Sequence, residues 1–253
     1  MGKRITIICG HYGSGKTEVS VNYAIHAAAI SAISKEYERT ALIDLDIANP
    51  YFRSRELRQM LTSKGVDVYS DVFGYDTTSD LPAVTANVRA PLESKDTLTI
   101  VDVGGDAAGA RILNQFRKYF LPDETDVICV VNANRPETGT IQGVESHIAE
   151  IQAETGLRIN GIINNTHLLR ETTCEIVLDG IIFVQKVAEE LQIPIKFHTC
   201  NENLLTEVLE KLGNEGLNAK LEGERLSANL EREGLNTKLF PMTLYMRPTW
   251  LDK

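Results

Sequence analysis

Cysteines are scarce in this sequence, and none of them belongs to a CxxC pair. The four, Cys9, Cys129, Cys174 and Cys200, lie far apart in 253 residues, which argues against a zinc knuckle or a within-chain cluster site. Cys9 and Cys129 lie inside apolar runs, so we expect buried thiols there. The histidines show no HxxxH or HxH spacing. The sequence therefore predicts no transition-metal site.

The sequence also has fewer basic than acidic residues, and it lacks long apolar runs. The 26 Lys and Arg residues face 35 Asp and Glu residues, and this acidic balance argues against non-specific nucleic-acid binding, which requires a basic face. No stretch approaches the roughly 18 apolar residues of a membrane span. Residues 1–4 lead directly into a short apolar run, without the pattern of a signal peptide. We therefore expect a cytoplasmic protein with no membrane span and no direct nucleic-acid contacts.

Short apolar runs alternate with segments of helical periodicity along most of the chain. The predicted strands are 5–9, 41–45, 98–103, 126–131, 159–163 and 193–197. The predicted helices are 18–33, 55–63, 108–119, 140–154 and 176–191. Residues 65–91, rich in Asp, Thr, Ser and Pro, are expected to be irregular. This alternation predicts an α/β fold with a doubly wound, mainly parallel sheet and helices on both faces. In such folds ligands bind at the carboxyl ends of the strands.

A phosphate-binding motif follows the first predicted strand. The segment GHYGSGKT, residues 10–17, matches G-x-x-x-x-G-K-[ST] between a strand and a helix. Its glycines let backbone N–H groups surround a phosphate, and the helix N-terminus adds positive potential. Lys16 is predicted to bridge the β- and γ-phosphates, and the Thr17 hydroxyl to coordinate Mg²⁺. The nucleotide-binding candidates here are Gly10, His11, Tyr12, Gly13, Ser14, Gly15, Lys16, Thr17 and the adjoining Glu18.

Acidic residues end the next two predicted strands. Asp44 and Asp46 alternate along one strand, so they point to the same face; one is expected to hold a magnesium-bound water and the other to orient the attacking water. A pair of surface aspartates is the alternative. Asp102 ends a hydrophobic strand, the arrangement of an acid that contacts magnesium through water. It also opens a D-x-x-G sequence in which Gly105 is expected to sense the γ-phosphate, with a structural glycine turn as the alternative.

Two further segments are candidates for binding a substrate or acting as a switch. The segment 49–55 contains Asn49 and Arg53 and follows the acidic pair; its arginines are suited to bidentate contacts with phosphate or carboxylate, and a charge pair at a helix start is equally compatible. Arg135 leaves the fourth predicted strand at the same sheet edge, with a solvated loop arginine as the alternative.

These motifs together resemble the MinD/ParA/nitrogenase-iron-protein branch of P-loop NTPases, the SIMIBI class, whose fold the CobQ/CobB-like and dethiobiotin-synthase-like enzymes share. The resemblance covers roughly residues 3–210, and DVGGD (102–106) is similar to switch II of the nitrogenase iron protein. It implies that Asp46 activates or positions the water, with Asp44 and Asp102 near magnesium. It also implies that Asn165, at the end of GIINN, contacts adenine and that residues 198–201 lie against the base. An asparagine that caps a turn is the alternative for Asn165.

Two positions depart from this family. Its signature lysine, which follows the first loop glycine and reaches a partner's nucleotide across a dimer, is replaced by His11. Imidazole is shorter and only partly charged at neutral pH. No cysteine lies between residues 104 and 109, so the cluster-bridging cysteines of the iron protein are missing.

The C-terminal part has a different character. From Leu209 to about residue 239 a nine-residue near-repeat places leucines alternately five and four apart. On a helix these leucines form two roughly opposite groups, and we interpret 209–239 as an exposed amphipathic helical arm, with a partner-binding device as the alternative. Residues 1–208 then form the P-loop domain, and 240–253, which holds most of the late aromatics, packs on its core.

Three functions are compatible with these patterns. The first is a magnesium-dependent ATPase whose switch segments couple hydrolysis to a protein partner or to cofactor maturation, as a monomer or a homodimer. The second is an ATP-dependent ligase or kinase of the dethiobiotin or cobyrinic acid synthase type, acting on a small molecule near Arg53 and Arg135. The third is a slow nucleotide-dependent scaffold. ATP is expected over GTP because of Asn165 and the absence of an N-K-x-D motif.

Overall fold

The computed structural model describes residues 3–46, 57–70, 86–213, 220–221, 228–232 and 235–246. The described strands are β1 (Ile5–Cys9), β2 (Arg39–Leu45), β3 (Val66–Ser70), β4 (Thr97–Val103), β5 (Thr125–Val131), β6 (Gly161–Asn164), β7 (Ile195–Asn201), β8 (Lys220–Leu221), β9 (Ala228–Arg232) and β10 (Leu235–Met242). The described α-helices are α1 (Lys16–Ser34), α2 (Arg58–Ser63), α3 (Ala86–Glu93), α4 (Ala107–Ala110), α5 (Ile141–Thr155), α6 (Cys174–Leu191) and α7 (Leu205–Gly213). Turns of 3₁₀ helix cover Arg111–Tyr119, Leu169–Glu171 and Glu202–Leu204.

All the described strands join one sheet in the order β3-β2-β4-β1-β5-β6-β7-β10-β9-β8. The strands from β3 to β10 in this order are parallel to their neighbours. Strand β9 runs antiparallel to β10, and β8 antiparallel to β9. Because β1 lies between β4 and β5, the loop after β1 opens beside the carboxyl ends of both neighbours. The predicted doubly wound, mainly parallel α/β fold is confirmed.

Alternate residues of each central strand pack into two separate hydrophobic cores, one on each face of the sheet. On β1, Ile5 and Ile7 enter one core, which α5 and α6 cover. Ile8 enters the other, which α1 covers. This alternation is the period-two pattern of a strand, and burial on both faces explains why the parallel strands read as continuous apolar runs. Thr140 caps the N-terminus of helix α5: its side chain accepts a hydrogen bond from the Gly143 N–H at 3.1 Å, a typical N-cap.

Residues 65–91, predicted to be irregular, contain two regular elements at the sheet edge. Strand β3 pairs with β2, and its Val66 and Val68 are buried in the core beside α1. Helix α3 buries Val88 and Leu92 although it contains Pro91. Edge pairing and these apolar contacts outweigh the weak local propensity of the segment. The rest of the stretch, 71–85, lies outside the described residues.

The prediction that residues 209–239 form a helical arm is wrong for most of the residues that the structure describes in this range. Helix α7 ends at Gly213, and the described residues beyond it form β8, β9 and β10. Arg232 pairs with Leu235 across a hairpin, with Glu233 and Gly234 between them in the sequence. Glycines recur at 216, 223 and 234, and each would weaken a helix by about 1 kcal/mol, whereas an X-Gly pair between strands is a common hairpin signal.

The end of the described chain returns to the core. Phe240, Met242 and Met246 are buried in the same core as α1, and Phe240 stacks on Phe197 with ring centroids 4.7 Å apart. Among the described residues, no helix is long and apolar enough to cross a membrane.

Candidate phosphate-binding site

The loop of residues 10–17 connects β1 to α1 at the carboxyl edge of the sheet. Gly13 and Gly15 adopt φ of 76° and 79°, left-handed conformations that glycine adopts without steric cost. Gly15 directly precedes α1, so Lys16 and Thr17 occupy the first turn of that helix. The loop therefore has the strand-loop-helix geometry that places backbone N–H groups and a helix N-terminus around an anion.

Two side chains from neighbouring loops hold this loop in place. Arg135 Nε donates to the Gly13 carbonyl at 2.8 Å, and Asn165 Nδ2 donates to the Ser14 carbonyl at 2.7 Å. Asn165 Oδ1 accepts from the Thr199 hydroxyl at 2.6 Å. Arg135 thus turns toward the site and not into solvent. Asn165 positions the loop, and its amide retains one N–H and one lone pair for a ligand, so its contact with a base stays a prediction.

Lys16 and the acidic residues that end β2 and β4 meet beneath the loop. The Lys16 Nζ lies 3.3 Å from Asp46 Oδ2, and both residues are about 5% exposed. Asp44 pairs with Asp102 in the strand register, and its Oδ1 accepts from the Asp46 backbone N–H at 3.1 Å. Both β2 aspartates are buried, so they are not the surface pair that the sequence left open.

Asp102 is fully buried at the end of β4. Its Oδ1 accepts from the Ser20 hydroxyl at 3.0 Å, and its Oδ2 has no hydrogen-bond partner among the described residues. Burial raises the pKa of Asp102 to about 6, while the charge of Lys16 and the hydroxyls of Thr17 and Ser20 oppose the rise. Sequence reasoning missed Ser20, whose one-turn spacing from Lys16 on α1 was the available signal.

These donors fit Mg²⁺ held largely through water and phosphate oxygens. Among the described residues, no group of three or more His, Cys, Asp or Glu side chains is placed to hold a metal ion by itself. Mg²⁺ usually keeps several waters and takes few protein ligands beside the phosphates of its substrate. A hydroxyl at Thr17 and a buried carboxylate oxygen at Asp102 without a partner suit that mode of binding.

The glycine pair after β4 packs directly on the phosphate-binding loop. A Cβ built on Gly105 would lie 2.9 Å from the Tyr12 nitrogen and 3.0 Å from the Tyr12 Cα. A Cβ on Gly104 would meet the Gly109 backbone at 2.9 Å and lie 3.7 Å from Asp46 Oδ1. Backbone therefore lies directly against backbone between the loop and residues 104–109, with no side chain between them.

His11 faces a neighbouring helix, α5. Its Nδ1 lies 3.8 Å from Glu137 Oε2, and its ring meets His147 of α5 edge-on at 5.3 Å. His147 is buried, and burial, followed by the charges of His11 and Lys16, lowers its pKa to about 4. His147 is therefore neutral at physiological pH. Tyr12 is 64% exposed at the mouth of the loop.

A cavity of about 510 Å³ opens beside the loop, over the ends of β6 and β7. Loop residues and Arg135 line one side of it. The other side combines polar groups at the ends of β6 and β7 with apolar groups of α6 and the C-terminal segment. Its residues include Thr199, Cys200, Val177, Met242, Leu244 and Met246. Thr199, Cys200 and Asn201, from the segment 198–201 that is expected to lie against a base, line this cavity, and the contact with a base stays a prediction. The C-terminal contribution was missed because its residues are distant in sequence.

Glu18, included with the loop from the sequence, contacts the C-terminal segment. Its Oε1 accepts from the Tyr245 N–H at 2.7 Å and its Oε2 from the Met246 N–H at 3.0 Å. Burial raises the pKa of Glu18, and these two backbone hydrogen bonds oppose the rise. The remaining candidates, Asn49 and Arg53, lie outside the described residues.

No protein-family model matches the chain, and no curated protein does. Among solved structures, it is similar to the signal recognition particle receptor FtsY of Elizabethkingia anophelis at 19% identity and a TM-score of 0.47, over 77% of this chain and 57% of that one. It is also similar to FtsY of Thermotoga maritima, at 22% identity and a TM-score of 0.48, over 77% of this chain and 60% of that one. Its similarity to chloroplast FtsY of Physcomitrella patens has 17% identity and a TM-score of 0.49, over 78% of this chain and 58% of that one. The chain spans less than two thirds of each, and likeness at this level carries no argument about activity.

Proposed function

We propose that this protein is a magnesium-dependent ATPase, with the triphosphate in the loop 10–17 and the base in the adjoining cavity. The observation that carries the proposal is the buried group of Lys16, Asp46 and Asp102 beneath a loop with phosphate-binding geometry. Burying an ammonium group and carboxylates is costly, and such clusters of buried ionisable groups are typical of functional sites.

The residues have separate roles in this proposal. Lys16 exchanges its contact with Asp46 for the β- and γ-phosphate oxygens when nucleotide binds. Asp46 is then released to orient the attacking water. Thr17, with Asp102 and Asp44 acting through water, would hold Mg²⁺, which would neutralise phosphate charge. The loop N–H groups and the α1 N-terminus stabilise the remaining negative charge.

ATP is proposed over GTP because of the groups that line the cavity. Guanine presents N–H donors at N1 and N2 that a carboxylate would satisfy. Among the described lining residues the carboxylate is that of Glu18, and both its oxygens already accept backbone N–H groups. Amide and hydroxyl groups such as those of Asn165 and Thr199 suit the donor and acceptor of adenine.

Hydrolysis would be coupled to the segment 104–109, because Gly105 touches the loop backbone. Loss of the γ-phosphate would then alter a surface that a protein partner or a second copy can read. Hydrogen exchange in this segment is expected to differ between complexes with ADP and with a non-hydrolysable ATP analogue. Equal exchange in the two complexes would contradict the coupling.

Phosphate release from Mg-ATP, measured without any added acceptor, tests the ATPase. Lys16→Ala should weaken ATP binding by on the order of a hundredfold, and Asp46→Asn should bind ATP but lose hydrolysis. The control is Lys64→Ala, which removes an exposed lysine at the end of α2 and should change neither quantity. Normal ATP binding by a folded Lys16→Ala protein would refute the proposal. Turnover only after adding a small carboxylate or hydroxyl compound would favour the ligase or kinase.

A further inference from the structure

The C-terminal segment 242–246 runs as an extended strap beside the N-terminal turns of α1. Met242, Leu244 and Met246 line the cavity. Met242 and Met246 also pack, together with Tyr245, into the core on the α1 side of the sheet, so the core fixes this wall of the cavity from behind. Leu244 is 37% exposed, so part of its side chain is open to whatever enters.

Two residues of α1, one helical turn apart, hold the strap through its backbone. Glu18 accepts the N–H groups of Tyr245 and Met246 at 2.7 and 3.0 Å. Asn22 accepts the Thr243 N–H at 3.0 Å and donates to the Thr243 carbonyl at 2.9 Å. Because these bonds go to backbone groups, they set where the strap lies without depending on which side chains it carries. We call Glu18 and Asn22 the latch.

The latch is joined to the phosphate-binding loop through one helix. Glu18 follows Lys16 and Thr17 directly, and Asn22 Nδ2 also donates to the Glu18 carbonyl at 2.9 Å. A carboxylate in the first turn of a helix is favoured by the helix dipole. The same turn of α1 therefore positions both the loop and the strap.

We propose that the latched strap is a wall of the base site: its Met242, Leu244 and Met246 pack on a purine ring, and Glu18 and Asn22 act as positioning residues for that contact. This rests on the proposed nucleotide binding and adds the part of the chain that reads the base. Apolar and thioether side chains provide the polarisable surface that a flat aromatic ring needs. Thr199 and Asn165 on the opposite side supply the polar contacts.

Calorimetric titration with two probes, Mg-ATP and Mg-tripolyphosphate, tests this inference. Tripolyphosphate has no base, so it reports the loop alone. Asn22→Ala, which neither lines the cavity nor belongs to the loop, should weaken ATP binding by about tenfold and leave tripolyphosphate binding unchanged. Leu244→Ala should weaken ATP binding by about fivefold, again with no effect on tripolyphosphate.

The control is Leu121→Ala, which truncates a leucine of comparable exposure, 49%, that does not line the cavity; neither probe should respond to it. An equal loss for both probes in Asn22→Ala and Leu244→Ala would show that the strap acts on the loop and would overturn the inference. So would unchanged ATP binding in both variants. A wild-type protein that binds neither probe would instead refute the proposed function, and the inference with it.

Discussion

Lys16, Asp46 and Asp102 place one positive and two acidic groups in a space closed to solvent. The cost of burying them is offset by the 3.3 Å contact between Lys16 and Asp46 and by the Ser20 hydroxyl on Asp102. Breaking a buried pair leaves an uncompensated charge, whereas removing both members removes the cost as well. Single substitutions in this group should therefore change the stability of the protein as well as ligand binding.

Lys16→Met should lower the free energy of unfolding of the ligand-free protein by about 3–5 kcal/mol, because Asp46 is left buried and unpaired with a cation. The double variant Lys16→Met, Asp46→Asn should recover most of this loss. Urea denaturation followed by circular dichroism measures both. As a control, Lys95→Met breaks the exposed pair with Glu124 and should cost less than about 1 kcal/mol. A double variant as unstable as the sum of its two single variants would contradict this account.

At the scale of elements, the sequence predicts the central strands and helices better than it predicts the segment after β4, whose position depends on backbone contact with the loop. Most central strands and helices were predicted to within about two residues, because buried parallel strands read as apolar runs and amphipathic helices show their period. The segment 108–119 was predicted as a helix, but α4 ends at Ala110 and a 3₁₀ helix follows. The contact of Gly105 with Tyr12 could not be predicted, since it depends on how two loops meet at the edge of the sheet.

On the proposed ATPase function, Gly105→Ala should slow hydrolysis by on the order of tenfold, because its Cβ would press on the Tyr12 backbone at 2.9 Å and displace either the loop or residues 104–109. Steady-state phosphate release measures the effect. Gly161→Ala is the control: its Cβ meets only the flexible side chain of Lys196 among the nearest atoms. Hydrolysis in Gly105→Ala equal to that of the wild type would show that the close packing has no functional role.

Across the whole molecule, buried histidines make stability dependent on pH. Burial lowers the pKa of His147, His167 and His198 from 6.5 to about 4 each. Their folded pKa lies below the unfolded one, so the unfolded chain binds more protons between pH 6.5 and 4. Stability is present above pH 6.5 and is lost as the pH falls toward 4. Asp102, with its pKa raised to about 6, acts in the opposite direction over part of this range.

His198→Gln should reduce the loss of stability between pH 7.5 and pH 5 by about 2 kcal/mol. His198 is 1% exposed, and its Nδ1 lies 3.0 Å from Asn164 Nδ2, so a glutamine oxygen can keep that contact without gaining charge. Denaturant unfolding at the two pH values measures the change. Lys64→Ala, which changes an exposed residue after α2 and no histidine, serves as the control. An unchanged pH dependence would contradict the buried neutral state of His198.

The sequence by itself determined the parallel sheet, the loop at 10–17 and the acidic residues beside it, since each depends on a local pattern of periodicity, glycine spacing or strand-end charge. Only the tertiary structure decided the rest. The repeat after Leu209 has no single apolar face, so its strands form by pairing with β7 and with one another and not through local preference. Glu18, read as part of the loop, contacts backbone more than 220 residues later, and no local pattern encodes a contact between segments that only folding brings together.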